Sequence, residues 1–188
     1  NGAAADILVE KGFVQRSFSY KLKKALCAIF GYEFEMIEGI TDESRRWREQ
    51  VDPYWSVELN MPGLTPRKIM QLIGTDVLRN HFSDKLWILS LKRQVMKDLS
   101  EGKNVVITDC RFPSELRAIL EWKGYIVKIE RPDRFPSWLP EFYKYIERFN
   151  AFDYICDGNM DDYYTDCAVG FYKHTKEKIH PAETSLIL

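Results

Sequence analysis

Hydrophobic positions along the chain switch repeatedly between helical spacing and short apolar runs, and the switches mark out its elements. Residues 3–11 are alanine-rich with apolar Ile7 and Leu8, and Gly12 supplies a stop, which predicts a first helix. Residues 13–18 alternate as a short strand. In 21–30, Leu22, Ala25, Leu26 and Ile29 fall on one helical face, ended by Gly31. Thr65-Pro66 is a strong helix start, threonine as N-cap and proline in the first turn, and that helix is expected to run to about residue 82. Ser83 then caps a longer helix over 84–100. Beyond Gly102, residues 104–109 (NVVITD) form the clearest strand, apolar enough to be buried on both faces as a central parallel strand is. A helix over 112–123, a strand over 125–130, a last short strand over 152–156 and a closing helix over 160–178 complete the pattern. Strands alternating with helices predict an α/β protein, a parallel sheet flanked by helices.

Residues 32–63 break the alternation. They carry Trp47, Trp55, Pro53 and Pro62, with one charged stretch over 42–50 that suits a short helix. The expected organisation is one domain over 1–188, with 32–63 as a small inserted lid or substrate substructure over the core. No internal repeat and no low-complexity tract interrupts it.

Charge narrows the function classes. Lys and Arg number 27 against 28 Asp and Glu, a net charge of −1. No basic field invites a nucleic-acid polymer, although a few well-placed arginines can still hold a phosphorylated small molecule. No run approaches the roughly 18 apolar residues of a membrane span, and no signal peptide is visible, so a cytoplasmic location is expected. Cys27, Cys110, Cys156 and Cys167 are scattered, and His81, His174 and His180 do not cluster with them. Reduced thiols and no metal-ligand set are the expectation. The aromatics over 135–149 are candidates for a homodimer interface.

Two segments could carry chemistry. Asp109-Cys110-Arg111 stands where the best strand ends, and ligands of open α/β sheets bind beyond the carboxyl ends of strands. A guanidinium there can grip phosphate through two parallel hydrogen bonds, and Glu115, one helical turn on, can brace it. The bland alternative is an Asp–Arg ion pair. In TPRKIMQLIGTD, Arg67, Gln71 and Gly74 lie at i, i+4 and i+7, a spacing that puts an arginine for phosphate, an amide for a base edge and a small residue on one helix face. A solvated face explains the same pattern. Trp87 and Phe82 could stack on a base or simply fill the core. Arg45, Arg46 and Arg48 form a basic cluster in the insertion, of use where arginines close over developing phosphoryl charge.

These pieces together resemble the phage deoxynucleoside monophosphate kinases. The resemblance rests on RKIMQLIGTDVLRNHF, Trp87, VVITDCRFPSELRAI and the strand ending Glu130-Arg131-Pro132, in that order and spacing. LVEKGFVQRSFSYKLKKAL upstream and FDYICDGNMDDYY downstream extend it over most of the chain; the specific part is GTD…W…TDCRFPSE. Animal phosphomevalonate kinase, a distant relative, has a similar DxR segment.

The resemblance implies a three-layer P-loop kinase fold, ATP and Mg2+ as cofactors, and a dNMP substrate held between core and insertion. Carried over by motif, Lys23, Arg67 and one of Arg45 or Arg46 would bind substrate phosphate. Arg46, Arg67 and Arg111 would stabilise the transferring group. Gln71, Gly74, Thr75 and Trp87 would shape the nucleoside pocket, and Asp109, Arg111 and Glu115 would bind the substrate nucleotide. The family opens with a strand and a glycine-rich loop ending GKDT. Asn1-Gly2 matches the tail of that loop and is the implied ATP contact, with the rest expected ahead of residue 1; a kinase-shaped module that has lost the loop and only binds nucleotide is one alternative, and a P-loop kinase for another small phosphorylated metabolite a second. Residues 180–186 (HPAETSL) are similar to a segment that the family places before its last strand; here they read as a variant tail.

Overall fold

A strand that is apolar at every position must be covered on both faces. In the computed structural model, which describes residues 2–130, 154–157 and 186–187, Val105, Val106 and Ile107 are all buried and form the centre of a parallel sheet. The chain forms two compact units, one built on Asn1–Phe18 with Ser90–Leu188 and the other on Ser19–Leu89.

The first unit holds all the described strands. β1 (Val14–Arg16) pairs in parallel with β2 (Val105–Ile107), Val14 opposite Val105, and β2 pairs in parallel with β5 (Leu186–Ile187). A second parallel pair joins β3 (Val127–Glu130) to β4 (Tyr154–Asp157). Leu186, expected in a tail, is therefore part of the sheet, where its backbone finds the partners that a free end lacks. α1 (Gly2–Glu10) puts Ala5 and Leu8 against Phe13 and Val106, with Ile7, Tyr125 and Val127 around them. α7 (Leu86–Ser100) buries Leu91 and Val95, and α8 (Pro113–Glu121) buries Leu116 and Ile119, i and i+3 on one face. Each such side chain contributes roughly 1.5–3 kcal/mol of burial. The expected closing helix over 160–178 lies outside the described residues. The observed architecture is mixed α/β, mostly helical, with parallel strand pairing throughout the described residues.

The second unit is helical. α2 (Tyr20–Phe30) buries Leu22 and Leu26. Ala25 and Ile29, expected on the same inward face, are exposed, Ile29 by 60%; the apolar stripe is narrower than the spacing predicted. Residues 32–63 are more regular than their composition suggested. They fold as α3 (Phe34–Glu38), α4 (Asp42–Glu49) and α5 (Pro53–Glu58). Aromatic contacts hold them: Tyr32 stacks on Phe30 and meets Trp47 edge to face, and Trp55 meets Phe30 and Tyr54 edge to face. The Tyr32 hydroxyl donates to Asp52 at 2.9 Å, while the other oxygen of Asp52 caps α5 through the Trp55 N–H at 3.0 Å. Burial, and then the Asp52 carboxylate, push the Tyr32 phenol well above its ordinary range.

α6 (Pro66–Gln71) starts as expected, Thr65 Oγ1 accepting the Lys68 N–H at 3.1 Å. It does not continue as an α-helix. From Leu72 to Phe82 the backbone widens into a π-helix, with Ser83 N–H reaching back five residues to the Leu78 carbonyl at 2.9 Å. Such helices are rare and recur at functional sites.

Candidate functional site

In the helical unit, the phase of α4 decides which arginine faces inward. Thr41 Oγ1 accepts the Ser44 N–H at 3.1 Å and Ser44 Oγ accepts the Thr41 N–H at 3.0 Å, a capping box that fixes the first turn. With Ser44 buried and Trp47 half-buried, Arg48 follows on the inward side, while Arg45 and Arg46 are exposed. Arg45 donates to the Gly39 carbonyl at 3.2 Å and to Asp42 at 3.0 Å. Among the described residues, no hydrogen bond or ion pair holds Arg46.

Arg48 lies against the end of α3, where Gly39 adopts φ 74°, a left-handed conformation natural to glycine. A Cβ there would overlap the guanidinium. Arg48 Nη1 donates to the Glu38 carbonyl at 3.2 Å, and its Nε is sealed from solvent with no hydrogen-bond partner among the described residues. Burial first, and the neighbouring Arg67 second, lower its proton affinity below that of an ordinary guanidinium.

The two nearby carboxylates serve other cations. Glu49 Oε1 binds Arg67 Nε at 2.8 Å, and Glu38 Oε2 binds Lys23 Nζ at 3.2 Å. The Lys23 side chain is only 13% exposed. The Arg67–Glu49 pair is half open to solvent and contributes little stability.

Next along the same unit, the π-helix reorganises the expected face of Arg67, Gln71 and Gly74. Gln71 is exposed, but Gly74 is buried beneath Leu22, so close that a Cβ would overlap Leu22 Cδ2. The three do not share one open face, because widening from Leu72 onward changes the rotation per residue. The same change brings Gln71 and Asp76 to one groove of about 410 Å3, lined also by Lys68, Met61 and Leu72. At about 100° per residue an α-helix would set residues 71 and 76 some 140° apart. Trp87 is buried and donates its Nε1–H to the Gly74 carbonyl at 2.9 Å, leaving Thr75 half-buried beside it in sequence. Phe82, the other stacking candidate, is 72% exposed.

In the sheet-bearing unit, Asp109 follows the carboxyl end of β2. Its two oxygens accept Ser17 Oγ–H at 2.7 Å and the Phe18 N–H at 2.9 Å. Asp109 thus ties the end of β1 to the end of β2. Glu115 is 2% exposed, and its Oε2 accepts the main-chain N–H groups of Arg111 at 2.8 Å and Phe112 at 3.1 Å. The brace expected on the Arg111 guanidinium acts on the Arg111 backbone instead, since a carboxylate at the third position of a helix reaches the open amides of the first turn. Arg111 itself is exposed. Beneath, Asp98 is 2% exposed and takes a two-pronged grip from Arg16 at 2.7 and 3.0 Å, which holds its carboxyl below the usual range. Sequence reasoning passed over this pair, which joins residues 82 apart.

Gly2 begins α1, and Asn1 lies outside the described residues, as do 135–149. Among the described residues no group of three His, Cys, Asp or Glu could hold a metal ion, and no helix is long and apolar enough to cross a membrane. Arg48 is another arginine that the sequence undervalued. The capping box Thr41–Ser44 was the available signal, because it sets the phase that turns residue 48 inward.

The sequence profile of the family described as deoxynucleotide monophosphate kinase matches residues 7–137. Over 144 residues the chain is 34% identical to a deoxynucleotide monophosphate kinase of Acanthamoeba polyphaga mimivirus, covering 69% of this chain and 67% of that protein. It is 28% identical over 116 residues to the deoxynucleoside-5'-monophosphate kinase of Escherichia phage T5, covering 53% of this chain and 45% of the phage protein. The chain thus spans about two thirds of the first relative and under half of the second. No solved structure matches it.

Proposed function

The chain belongs to the deoxynucleotide monophosphate kinase family, a family of phosphotransferases, and from that premise we propose that it transfers the γ-phosphoryl group of ATP to a deoxynucleoside monophosphate, giving a dNDP. The observation that carries this is the family match over residues 7–137, which takes in both the Arg67…Trp87 run and Asp109-Cys110-Arg111. The parallel pairing of β1 with β2 supports a P-loop kinase sheet, and the three short helices of 32–63 support an inserted substrate lid on a single domain.

No side-chain nucleophile is needed, because the substrate phosphate oxygen attacks in line and catalysis is positioning and charge stabilisation. ATP would supply the phosphoryl group, and Mg2+ would supply counter-charge for its phosphates. Magnesium of this kind keeps several waters and needs only one or two carboxylates beyond the phosphates. Asn1 and Gly2 would offer amides to ATP phosphate at the start of α1.

Lys23, Arg67 and one of Arg45 or Arg46 bind the substrate phosphate in this reading, with Arg46, Arg67 and Arg111 over the transferring group. Gln71 meets the base edge, while Gly74, Thr75 and Trp87 set the pocket wall. Asp109 and Glu115 act on the substrate by holding the loop that displays Arg111. The partners are a dNMP and ATP, not a nucleic-acid polymer or a membrane, and the site of action is the cytoplasm. A homodimer through 135–149 is part of the same reading. The test is ADP release by the full-length protein, coupled to a dehydrogenase readout, with each common dNMP in turn. ADP formation with at least one is expected; none with any of them sinks the proposal.

A further inference from the structure

Arg48 is a poorly satisfied cation for its degree of burial. A guanidinium carries five N–H donors, and a structural arginine in a core usually spends them in a two-pronged grip on a carboxylate. Arg48 makes one long bond, to the Glu38 carbonyl at 3.2 Å, while its sealed Nε meets no acceptor among the described residues. The two neighbouring carboxylates are ion-paired with other cations, Glu38 with Lys23, without a hydrogen bond to its Oε2, and Glu49 with Arg67. Three cations, Lys23, Arg48 and Arg67, thus share two carboxylates, which leaves one positive charge in excess.

The fold also reserves space for this group. Gly39 gives up a side chain where any Cβ would overlap the Arg48 guanidinium, and α4 is phased by its capping box to turn residue 48 toward it. Arg48 keeps part of its surface exposed, so an anion can reach it without opening a closed core.

We infer that Arg48 and Arg67 together grip a phosphate monoester dianion, with the Glu38 carbonyl and the Glu49 carboxylate serving as placeholders that the phosphate displaces. That the monoester is the 5′-phosphate of the substrate nucleotide rests on the kinase reading above. The assignment puts Arg48, rather than Arg45 or Arg46, beside Arg67 at the substrate phosphate. The anion provides what the empty arrangement lacks: acceptors for the idle donors and a counter-charge between two guanidinium groups.

The test compares Arg48→Ala, Arg48→Lys, Arg46→Ala and Gly39→Ala in the full-length protein, measuring KM for dNMP, KM for ATP and Tm. Arg48→Ala is expected to raise the dNMP KM about tenfold or more, the effect of losing a charge-assisted hydrogen bond. The ATP KM should hold, and the Tm should hold or rise because an unsatisfied buried charge is gone. Arg48→Lys should recover part of the loss, and Gly39→Ala should reproduce it by displacing the guanidinium. A lowered Tm with unchanged dNMP KM makes Arg48 a structural residue and overturns the inference, as does a larger KM effect at Arg46. If the wild type turns over no dNMP, the kinase reading fails on its own, and inorganic phosphate decides the site. A Tm rise with phosphate at matched ionic strength, lost in Arg48→Ala, upholds it; no rise in the wild type overturns it.

Discussion

The indole of Trp87 donates to the main-chain carbonyl of Gly74 at 2.9 Å within a buried site. This one bond pins the start of α7 to the π-helix. Gly74 is held from the other side by Leu22, which occupies the space that a side chain would need. Gly74 is thus fixed by packing on one hand and by the indole bond on the other.

Two substitutions probe that clamp. Trp87→Phe keeps an aromatic ring and removes the donor, so the bond to the Gly74 carbonyl is lost at a cost of about 0.5–1.5 kcal/mol. Gly74→Ala forces Leu22 aside at a cost of about 1–3 kcal/mol. Urea denaturation is expected to show Leu22→Ala partly rescuing Gly74→Ala, so that the double variant is less destabilised than the sum; full additivity would place Leu22 and Gly74 out of contact.

The Arg16–Asp98 pair predicts a pH dependence. The guanidinium grip holds the Asp98 carboxyl below its ordinary range, so its contribution is complete above the unfolded value of about 3.9 and is lost as pH falls through the folded value. Asp98→Asn should cost roughly 2–3 kcal/mol near pH 7, somewhat under a fully buried pair because Arg16 is partly exposed. The gap between wild type and variant should narrow as urea titrations move from pH 6 toward about pH 3. A gap independent of pH would deny Asp98 its charge-dependent role.

Arg111 and Glu115 should separate binding from stability. Arg111→Ala, at an exposed position, is expected to leave Tm nearly unchanged while raising the dNMP KM about tenfold. Glu115→Ala leaves the Arg111 and Phe112 amides, just ahead of α8, without their acceptor, and should cost about 1–3 kcal/mol as well as kcat/KM. Glu115→Gln, which retains one acceptor oxygen, should fall between wild type and Glu115→Ala in both. A Tm loss in Arg111→Ala as large as that in Glu115→Ala would make Arg111 part of the framework.

The Tyr32 phenol supplies an alkaline limit. Its folded value is raised by burial and by Asp52, so the neutral hydroxyl stabilises the fold below the unfolded value of about 10, and that contribution declines as pH rises beyond it. Tyr32→Phe should therefore lose Tm at pH 8 but show a flatter decline than wild type between about pH 9.5 and 11. Parallel declines would show that Tyr32 does not ionise against a penalty.

Local order was legible in the residues themselves. Thr65-Pro66 starts α6, NVVITD holds the central strand β2, and Phe112-Pro113 opens α8, because caps, proline and hydrophobic period act over a few neighbouring residues. The run from Arg67 to Trp87 and Asp109-Cys110-Arg111 carried the family in the same way, as fixed residue types at fixed spacing.

The rest depended on contacts between distant segments. Spacing alone put Gly74 beside Gln71 on an open face, yet the π-helix buried it under Leu22, and no count along the chain foretells a change of helical pitch that tertiary packing imposes. Arg45, Arg46 and Arg48 look alike in sequence; the space above Gly39 and the engagement of Glu38 and Glu49 by other cations set Arg48 apart. The sequence by itself determined which chemical groups this protein possesses and the elements that carry them, since those follow from short-range sterics and hydrogen bonding. Which charges are left unsatisfied was decided only by the tertiary structure, because satisfaction is a property of partners brought through space.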